Sequence, residues 1–204
     1  MLDLFVKGGI IMVFILAISI VAVVIIIERF IYFRRIRVDE TKMINRVKVT
    51  LEKGHYDEAM SICENNPSPF TNLMKVGIEN QRYERHVIKE LILEAASQEV
   101  PKLERSLSTL GTIAHIAPLL GLLGTVTGNI KAFGVLGSFG AVGGDPGMLA
   151  TGISEALLTT AAGIIVSIPA LGFYNYLVGK VNHMIIQLEN RVNEMIIILK
   201  GAGK

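Results

Sequence analysis

Tryptophan is missing from this 204-residue chain, cysteine occurs once, and charged residues make up only 19% of it. The single cysteine, Cys63, excludes an intramolecular disulfide scaffold. A net charge of +2 is too small and too unevenly placed for a nucleic-acid binder, whose affinity would come from phosphate neutralisation. Hydrophobic residues make up 51% of the chain, a share that is not typical of a soluble domain. The composition predicts a membrane protein.

Three stretches contain no Asp, Glu, Lys or Arg over about the 20 residues that a helix needs to cross a bilayer. They run from Gly8 to Ile27, from Ser106 to Ile130 and from Ala156 to Gly179. The first is interpreted as a retained anchor, because ERFIYFRRIR follows it where a signal peptide would have a small-residue cleavage site. We expect an all-α membrane protein with three transmembrane helices. The predicted spans are residues 8–33, 109–134 and 153–178.

Basic residues predict the orientation of these spans. Many Arg and Lys residues follow the first span, whereas only Lys7 precedes it. The positive-inside rule therefore places the N-terminus, residues 1–7, on the outer (periplasmic) side. With this topology, Lys7 and Lys131 are the only basic residues on the outer side.

Residues 34–108, between the first two spans, lack the alternating pattern of strands and predict a cytoplasmic helical insert. Asp39 could cap a helix that Gly54 ends, and a short helix is expected from His55 to about Asn65. After the break at Pro67-Ser68-Pro69, the pattern is helical to at least Val100. Because the same period continues beyond Pro101, we expect a bend there within one long helix that enters the membrane.

Two segments lie outside the spans in the second half of the chain. Residues 135–152 are rich in glycine and predict a short periplasmic loop. Residues 179–204 carry apolar side chains at spacings of three and four, which predicts a cytoplasmic amphipathic helix. Its apolar face needs a partner, either a copy of itself or the insert.

The second and third spans each carry a stripe of small and hydroxyl residues on one helix face. Small residues let helices approach closely, and hydroxyls among them either bond across helices or line a hydrated path. For any single residue of a stripe, simple close packing is the commoner role. Gly124, also in the second span, is a further glycine that is expected to allow close packing. The stripes are Ala114, Pro118, Gly121, Thr125, Gly128 and Ala132, and Ala156, Thr160, Gly163, Ser167 and Ala170.

Few ionisable groups accompany these stripes. Glu155 is either solvated at the outer interface or inside a pore where it exchanges protons, and the sequence leaves both open. His115 is either a proton relay or an imidazole satisfied by a carbonyl or water. Thr125 and Thr160 cannot titrate, so a proton path would also need ordered water or a carboxylate from another chain. Pro118 and Pro169 each free a backbone carbonyl and are candidate hinges.

No motif for hydrolysis, nucleotide binding or metal binding is present, so we expect a non-enzymatic protein without cofactor or metal.

The segments IAPLLGLLGTVTGNIKAF (116–133) and ISEALLTTAAGIIVSIPALGFYN (153–175) resemble the ExbB/TolQ/MotA proton-channel family, most closely its ExbB branch. The resemblance covers the whole chain. It implies a multi-pass subunit of the bacterial inner membrane that forms a homo-oligomeric ring, usually a pentamer. The ring encloses an ExbD- or TolR-like single-span partner that carries a membrane aspartate. This aspartate supplies the ionisable group that the threonines lack.

The same resemblance assigns roles to residues of this chain. Thr125 and Thr160 match the functional threonines of the family, Glu155 its acidic residue, and Pro118 and Pro169 its paired prolines. His115 departs from the pattern, where a small or mildly polar residue is expected. Ser167 and His115 complete the candidate ion pathway, with Gly121, Gly124, Gly128 and Gly163 as close-packing positions.

We therefore expect an ion-conducting motor subunit that uses the proton motive force to energise TonB-dependent outer-membrane transport together with a TonB-like protein. A TolQ-like role in the envelope, a MotA-like role, a non-conducting scaffold and a stand-alone channel are the alternatives. Sodium in place of protons also stays open.

Overall fold

The computed structural model describes residues 9–37, 40–139 and 146–201. Within these ranges the chain forms helices and no strand, so the predicted all-α fold is confirmed. Asp39, expected to cap the second helix, lies outside the described residues. The helices are α1 Gly9–Arg37, α2 Glu40–Glu52, α3 Tyr56–Asn65, α4 Pro69–Glu79, α5 Arg85–Glu104, α6 Leu107–Phe139 and α7 Pro146–Gly201.

Three apolar helical stretches are long enough to cross a membrane. They lie within Gly9–Arg34, Arg85–Gly134 and Leu149–Leu199. Many large apolar side chains on them are exposed to the surroundings, such as Ile10, Leu119, Ile130 and Ile165. The chain is therefore a multi-pass membrane protein, as the composition predicts.

The described residues fall into two compact units, one of residues 9–29 and 106–177 and the other of residues 30–105 and 178–201. In the second unit, the predicted short helix α3 is confirmed, and Cys63 on it is fully buried. Burial raises the pKa of the Cys63 thiol to about 11, which makes it a structural and unreactive cysteine. Helix α4 begins at Pro69 because Ser68 and Thr71 form a reciprocal capping box.

The apolar face of residues 179–201 is covered by the insert within the second unit. A Cβ atom at Gly77 of α4 would lie 3.1 Å from Leu199 and would also meet Met195. Lys48 of α2 donates a hydrogen bond of 2.7 Å to Glu194. Of the two partners expected for this amphipathic segment, the structure provides the insert.

The prediction of one helix from Pro69 to Val100 is wrong, because a turn separates α4 from α5. The Asn80 side chain donates to the carbonyl of Val76 at 2.8 Å, and the Tyr83 amide donates to the carbonyl of Asn80 at 3.0 Å. Such side-chain bonds compete with the helical backbone pattern. Residues 79–86 contain no aliphatic side chain that could anchor a further helical turn in the core.

The expected continuous helix through Pro101 into the second span is also interrupted. Helix α5 continues past Pro101 to Glu104, and the chain then turns at Arg105 and Ser106, whose φ is 62°. The apolar pattern of the sequence does not reveal this break, because Leu103, Leu107 and Leu110 are all buried at helical spacing on both sides of it.

Helix replaces loop in much of the glycine-rich segment predicted for residues 135–152. Helix α6 extends to Phe139 and α7 begins at Pro146, so the loop prediction is wrong for residues 135–139 and 146–152. Proline is favoured in the first turn of a helix. Isolated glycines lower helix propensity, but the context of a long apolar helix can outweigh this cost. Residues 140–145 lie outside the described part of the chain. Helix α7 then continues through Gly179 without a break, so the third span and the C-terminal amphipathic segment are one helix.

Candidate functional site

The two small-residue stripes meet in the contact between α6 and α7. A Cβ atom at Gly121 would lie 2.9 Å from the carbonyl oxygen of Thr159 and from Cα of Thr160. A Cβ atom at Gly163 would lie 2.5 Å from the carbonyl oxygen of Ala117, and one at Gly128 would lie 2.8 Å from Cβ of Ala156. Only glycine permits backbones to approach this closely. The structure therefore brings together the faces that the sequence singled out.

Thr125 and Thr160 face each other across this contact, and their hydroxyl groups form a hydrogen bond. The Thr160 hydroxyl also lies 3.0 Å from the carbonyl oxygen of Gly121, and the Thr125 hydroxyl lies 3.3 Å from that of Ala156. Both threonines are half-buried. A threonine hydroxyl has one hydrogen to donate and two acceptor positions, so this pair can still bind water or an acidic group that approaches its open side.

Ser167 serves a different purpose, because it compensates for Pro118. Proline lacks an amide hydrogen, so Pro118 leaves the carbonyl of Ala114 without its helical donor. The buried hydroxyl of Ser167 donates to that carbonyl at 2.6 Å. The structure thus places Ser167 in the buried α6–α7 contact, where its single hydrogen is already used.

Ser167→Ala should therefore destabilise the protein by about 1–3 kcal/mol, because a buried carbonyl loses its only side-chain donor. Thermal unfolding of the purified protein in detergent measures the loss. Ser108→Ala, at an exposed position near the start of α6, is the matched control and should leave the midpoint unchanged. In a Pro118→Ala background the amide donor is restored, so the same serine substitution should cost less; an equal cost there would contradict this pairing.

His115 is exposed on α6, and its Nδ1 lies 2.6 Å from the carbonyl oxygen of Gly111. Since a carbonyl only accepts, Nδ1 carries the hydrogen in this arrangement. Of the two roles left open for this residue, the geometry agrees with an imidazole satisfied by a carbonyl. Pro169 is exposed on α7, and neither proline ends its helix.

Glu155 is paired with Lys131, a contact that the sequence reasoning missed. Nζ of Lys131 lies 3.0 Å from Oε1 of Glu155, and 19% of the glutamate side chain is exposed. The sequence places Lys131 on the outer side, and Lys131 is the only Lys or Arg between positions 106 and 179. That isolation among apolar residues was the signal that could have paired it with Glu155.

The ion pair borders a cavity of about 200 Å³ that is separate from the threonine contact. Thr159 was also missed by the sequence reasoning; it is buried, and its hydroxyl donates to the carbonyl of Ala156 at 2.9 Å. Its side chain fills the space beside Gly124, where a Cβ atom would collide with the hydroxyl. The cavity is lined by Ile10, Ile11, Gly124, Thr127, Lys131, Glu155 and Thr159.

The candidate pathway residues therefore do not form one cluster. Thr125 and Thr160 are in contact, Ser167 is buried with Ala114, His115 bonds within its own helix, and Glu155 pairs with Lys131. In the described ranges, no group of three or more His, Cys, Asp or Glu side chains could hold a metal ion.

Residues 65–190, more than half of the chain, match the family described as the MotA/TolQ/ExbB proton channel family. An ExbB homologue of Methanothermobacter thermautotrophicus, named for biopolymer transport, is 32% identical over 189 residues, which cover 92% of this chain and 66% of that protein. The biopolymer transport protein ExbB of Aquifex aeolicus is 37% identical over 116 residues, 57% of this chain and 76% of that one. The Tol-Pal system protein TolQ of Haemophilus influenzae is 39% identical over 105 residues, 52% of this chain and 45% of that one. With the close-packed helices, the threonine pair and the three apolar spans, these matches show that the chain belongs to the MotA/TolQ/ExbB proton channel family and is ExbB-like.

Proposed function

We propose that this protein is the ring-forming subunit of an inner-membrane motor that uses the proton motive force to energise TonB-dependent outer-membrane transport. In this proposal five copies surround an ExbD-like single-span partner, and the N-terminus faces the periplasm. The subunit makes and breaks no covalent bond in a substrate and needs no cofactor.

The observation that carries the proposal is the relation between the threonine pair and the carboxylates. Glu155 is the only Asp or Glu in α6 and in residues 146–177 of α7, and its carboxylate is already paired with Lys131. Thr125 and Thr160 contact each other and backbone carbonyls, and no hydrogen bond joins them to Glu155. Because hydroxyl groups do not ionise at neutral pH, we infer that an acidic group for this site comes from another chain. The membrane aspartate of an ExbD-like partner has the required chemistry.

The proposal is tested by proton flux into liposomes that contain a pH-sensitive dye. We expect the chain alone to conduct little, and the chain with its single-span partner to conduct under a membrane potential. Replacing the partner's membrane aspartate by asparagine should abolish the flux. Equal flux from the chain alone would favour a stand-alone channel, and no flux from either preparation would favour a scaffold.

A TolQ-like role is the second candidate, because the matched segment of the Haemophilus influenzae TolQ is 39% identical. Deletion of the gene distinguishes the two roles. Loss of iron-chelate or vitamin uptake supports the TonB-linked role, whereas defects in cell constriction and detergent resistance support the TolQ-like one.

A further inference from the structure

The cavity beside the ion pair and the contact between the two threonines lie on different sides of α6 and α7. Successive residues of an α-helix are turned by about 100° around the axis, so Glu155 and Thr160 point about 140° apart on α7. Thr125 and Lys131 are turned by about 120° on α6 and are separated by about 9 Å along it. The cavity is instead bordered by Ile10 of α1.

Charged groups within apolar helices are costly unless they are paired or hydrated, and the two charges of this site are paired. The ammonium of Lys131 is 3.0 Å from the carboxylate of Glu155. Two hydroxyl side chains, Thr127 and Thr159, line the same cavity. Its volume of about 200 Å³ leaves room for water molecules.

Helix α1 also borders the cavity, through Ile10 and Ile11. A Cβ atom at Gly9 would collide with Oε1 of Glu155 and would lie 3.9 Å from Nζ of Lys131. The φ of Gly9 is 63°, a conformation that other residues rarely adopt. The start of α1 therefore lies against the carboxylate, which confines Glu155 between Gly9 and Lys131.

We propose that Lys131 is a built-in counter-ion that holds Glu155 at this cavity, away from the threonine pair. The inference rests on the proposed function and deepens it: Glu155 positions α7 against α6, and the mobile proton belongs to the partner's carboxyl group alone. A sodium ion would have to displace the tethered ammonium before it could bind the Glu155 carboxylate. Lys131 is thus a positioning residue that disfavours alkali cations at this carboxylate.

Labelling with a membrane-permeant carbodiimide tests the pairing, because the reagent reacts at a carboxyl oxygen and the Lys131 ammonium lies 3.0 Å from Oε1 of Glu155. The full chain with its partner, in native membranes at neutral pH, should be labelled slowly at Glu155. Lys131→Met removes the ammonium that contacts Oε1 of Glu155 but keeps much of the side-chain length, and should raise the initial labelling rate severalfold. Lys131→Arg should keep the slow rate, and Glu155→Gln identifies the labelled position by mass spectrometry. Equal rates for wild type and Lys131→Met would overturn the proposal.

Charge exchange provides a second test that does not depend on reagent access. Lys131→Glu and Glu155→Lys should each lower the thermal midpoint of the detergent-solubilised oligomer, and the double variant should recover more than half of the combined loss. Additive losses in the double variant would overturn the pairing. Both tests are independent of conduction: the labelling and charge-exchange results can hold even if the flux experiment rejects the motor function.

Discussion

Thr160→Val is expected to reduce partner-dependent proton flux by more than tenfold while the oligomer still assembles. Valine has nearly the same shape as threonine but removes the hydroxyl that contacts Thr125 and lies 3.0 Å from the carbonyl oxygen of Gly121. That carbonyl also has the Thr125 hydroxyl at 3.4 Å, so the fold should lose only about 1 kcal/mol. In the proposed motor, however, the path for the proton loses one of the two threonine hydroxyl groups. Flux into liposomes and the elution volume of the complex measure the two effects separately.

Thr112→Val is the matched control for this substitution. Thr112 is exposed on α6, and its hydroxyl donates only to the carbonyl of Ser108 in the preceding turn, at 2.9 Å. We expect this variant to conduct as the wild type does, and Thr160→Ser, which keeps the hydroxyl, to retain most of the flux. Thr125→Val should repeat the loss seen for Thr160→Val. Wild-type flux in both valine variants would mean that the threonine pair only packs the helices, as a scaffold requires.

The facing of α6 and α7 was predictable because small residues recur at helical spacing on both. Glycine at 121 and 163 leaves room for a neighbouring backbone, and this property is visible in the sequence. The partner of each polar group was not predictable in the same way. Pro118 indicates that a backbone carbonyl lacks its helical donor. That Ser167 donates to this carbonyl depends on the axial register of the two helices, which no local sequence pattern encodes. The same register decides that Glu155 meets Lys131.

The interruptions of the helices were missed for a different physical reason. At Arg105 and Ser106 the apolar spacing continues on both sides of the turn, so burial gives no sign of the change in backbone direction. In the glycine-rich segment the opposite error arose. Glycine lowers helix propensity by only about 1 kcal/mol per residue, which the context of a long apolar helix can outweigh. A prediction from helix propensity alone therefore makes the loop between α6 and α7 too long.

Gly163→Ala should be more damaging than the same substitution at Gly152, Gly172 or Gly179 of α7. The new Cβ atom would lie 2.5 Å from the carbonyl oxygen of Ala117 and 3.3 Å from Cα of Gly121, and both neighbours are backbone atoms that cannot rotate away. Helix α6 has to move outward, which should destabilise the protein by about 1–3 kcal/mol and lengthen the hydrogen bonds of Thr160. This loss must exceed the gain of up to about 1 kcal/mol that alanine brings to a helix. Thermal unfolding in detergent, followed by the flux measurement, tests both consequences.

Gly172→Ala, nine residues further along the same helix, separates packing from helix propensity. Among the residues that the structure describes, none outside the neighbouring turns of α7 lies within 4 Å of a Cβ atom placed at Gly172, so this variant receives the propensity gain without the collision. We expect its thermal midpoint to equal or exceed that of the wild type, while Gly163→Ala falls below it. If the two variants shift the midpoint in the same direction and by the same amount, the close approach at Gly163 does not hold α6 and α7 together. The threonine pair would then need some other support for its geometry.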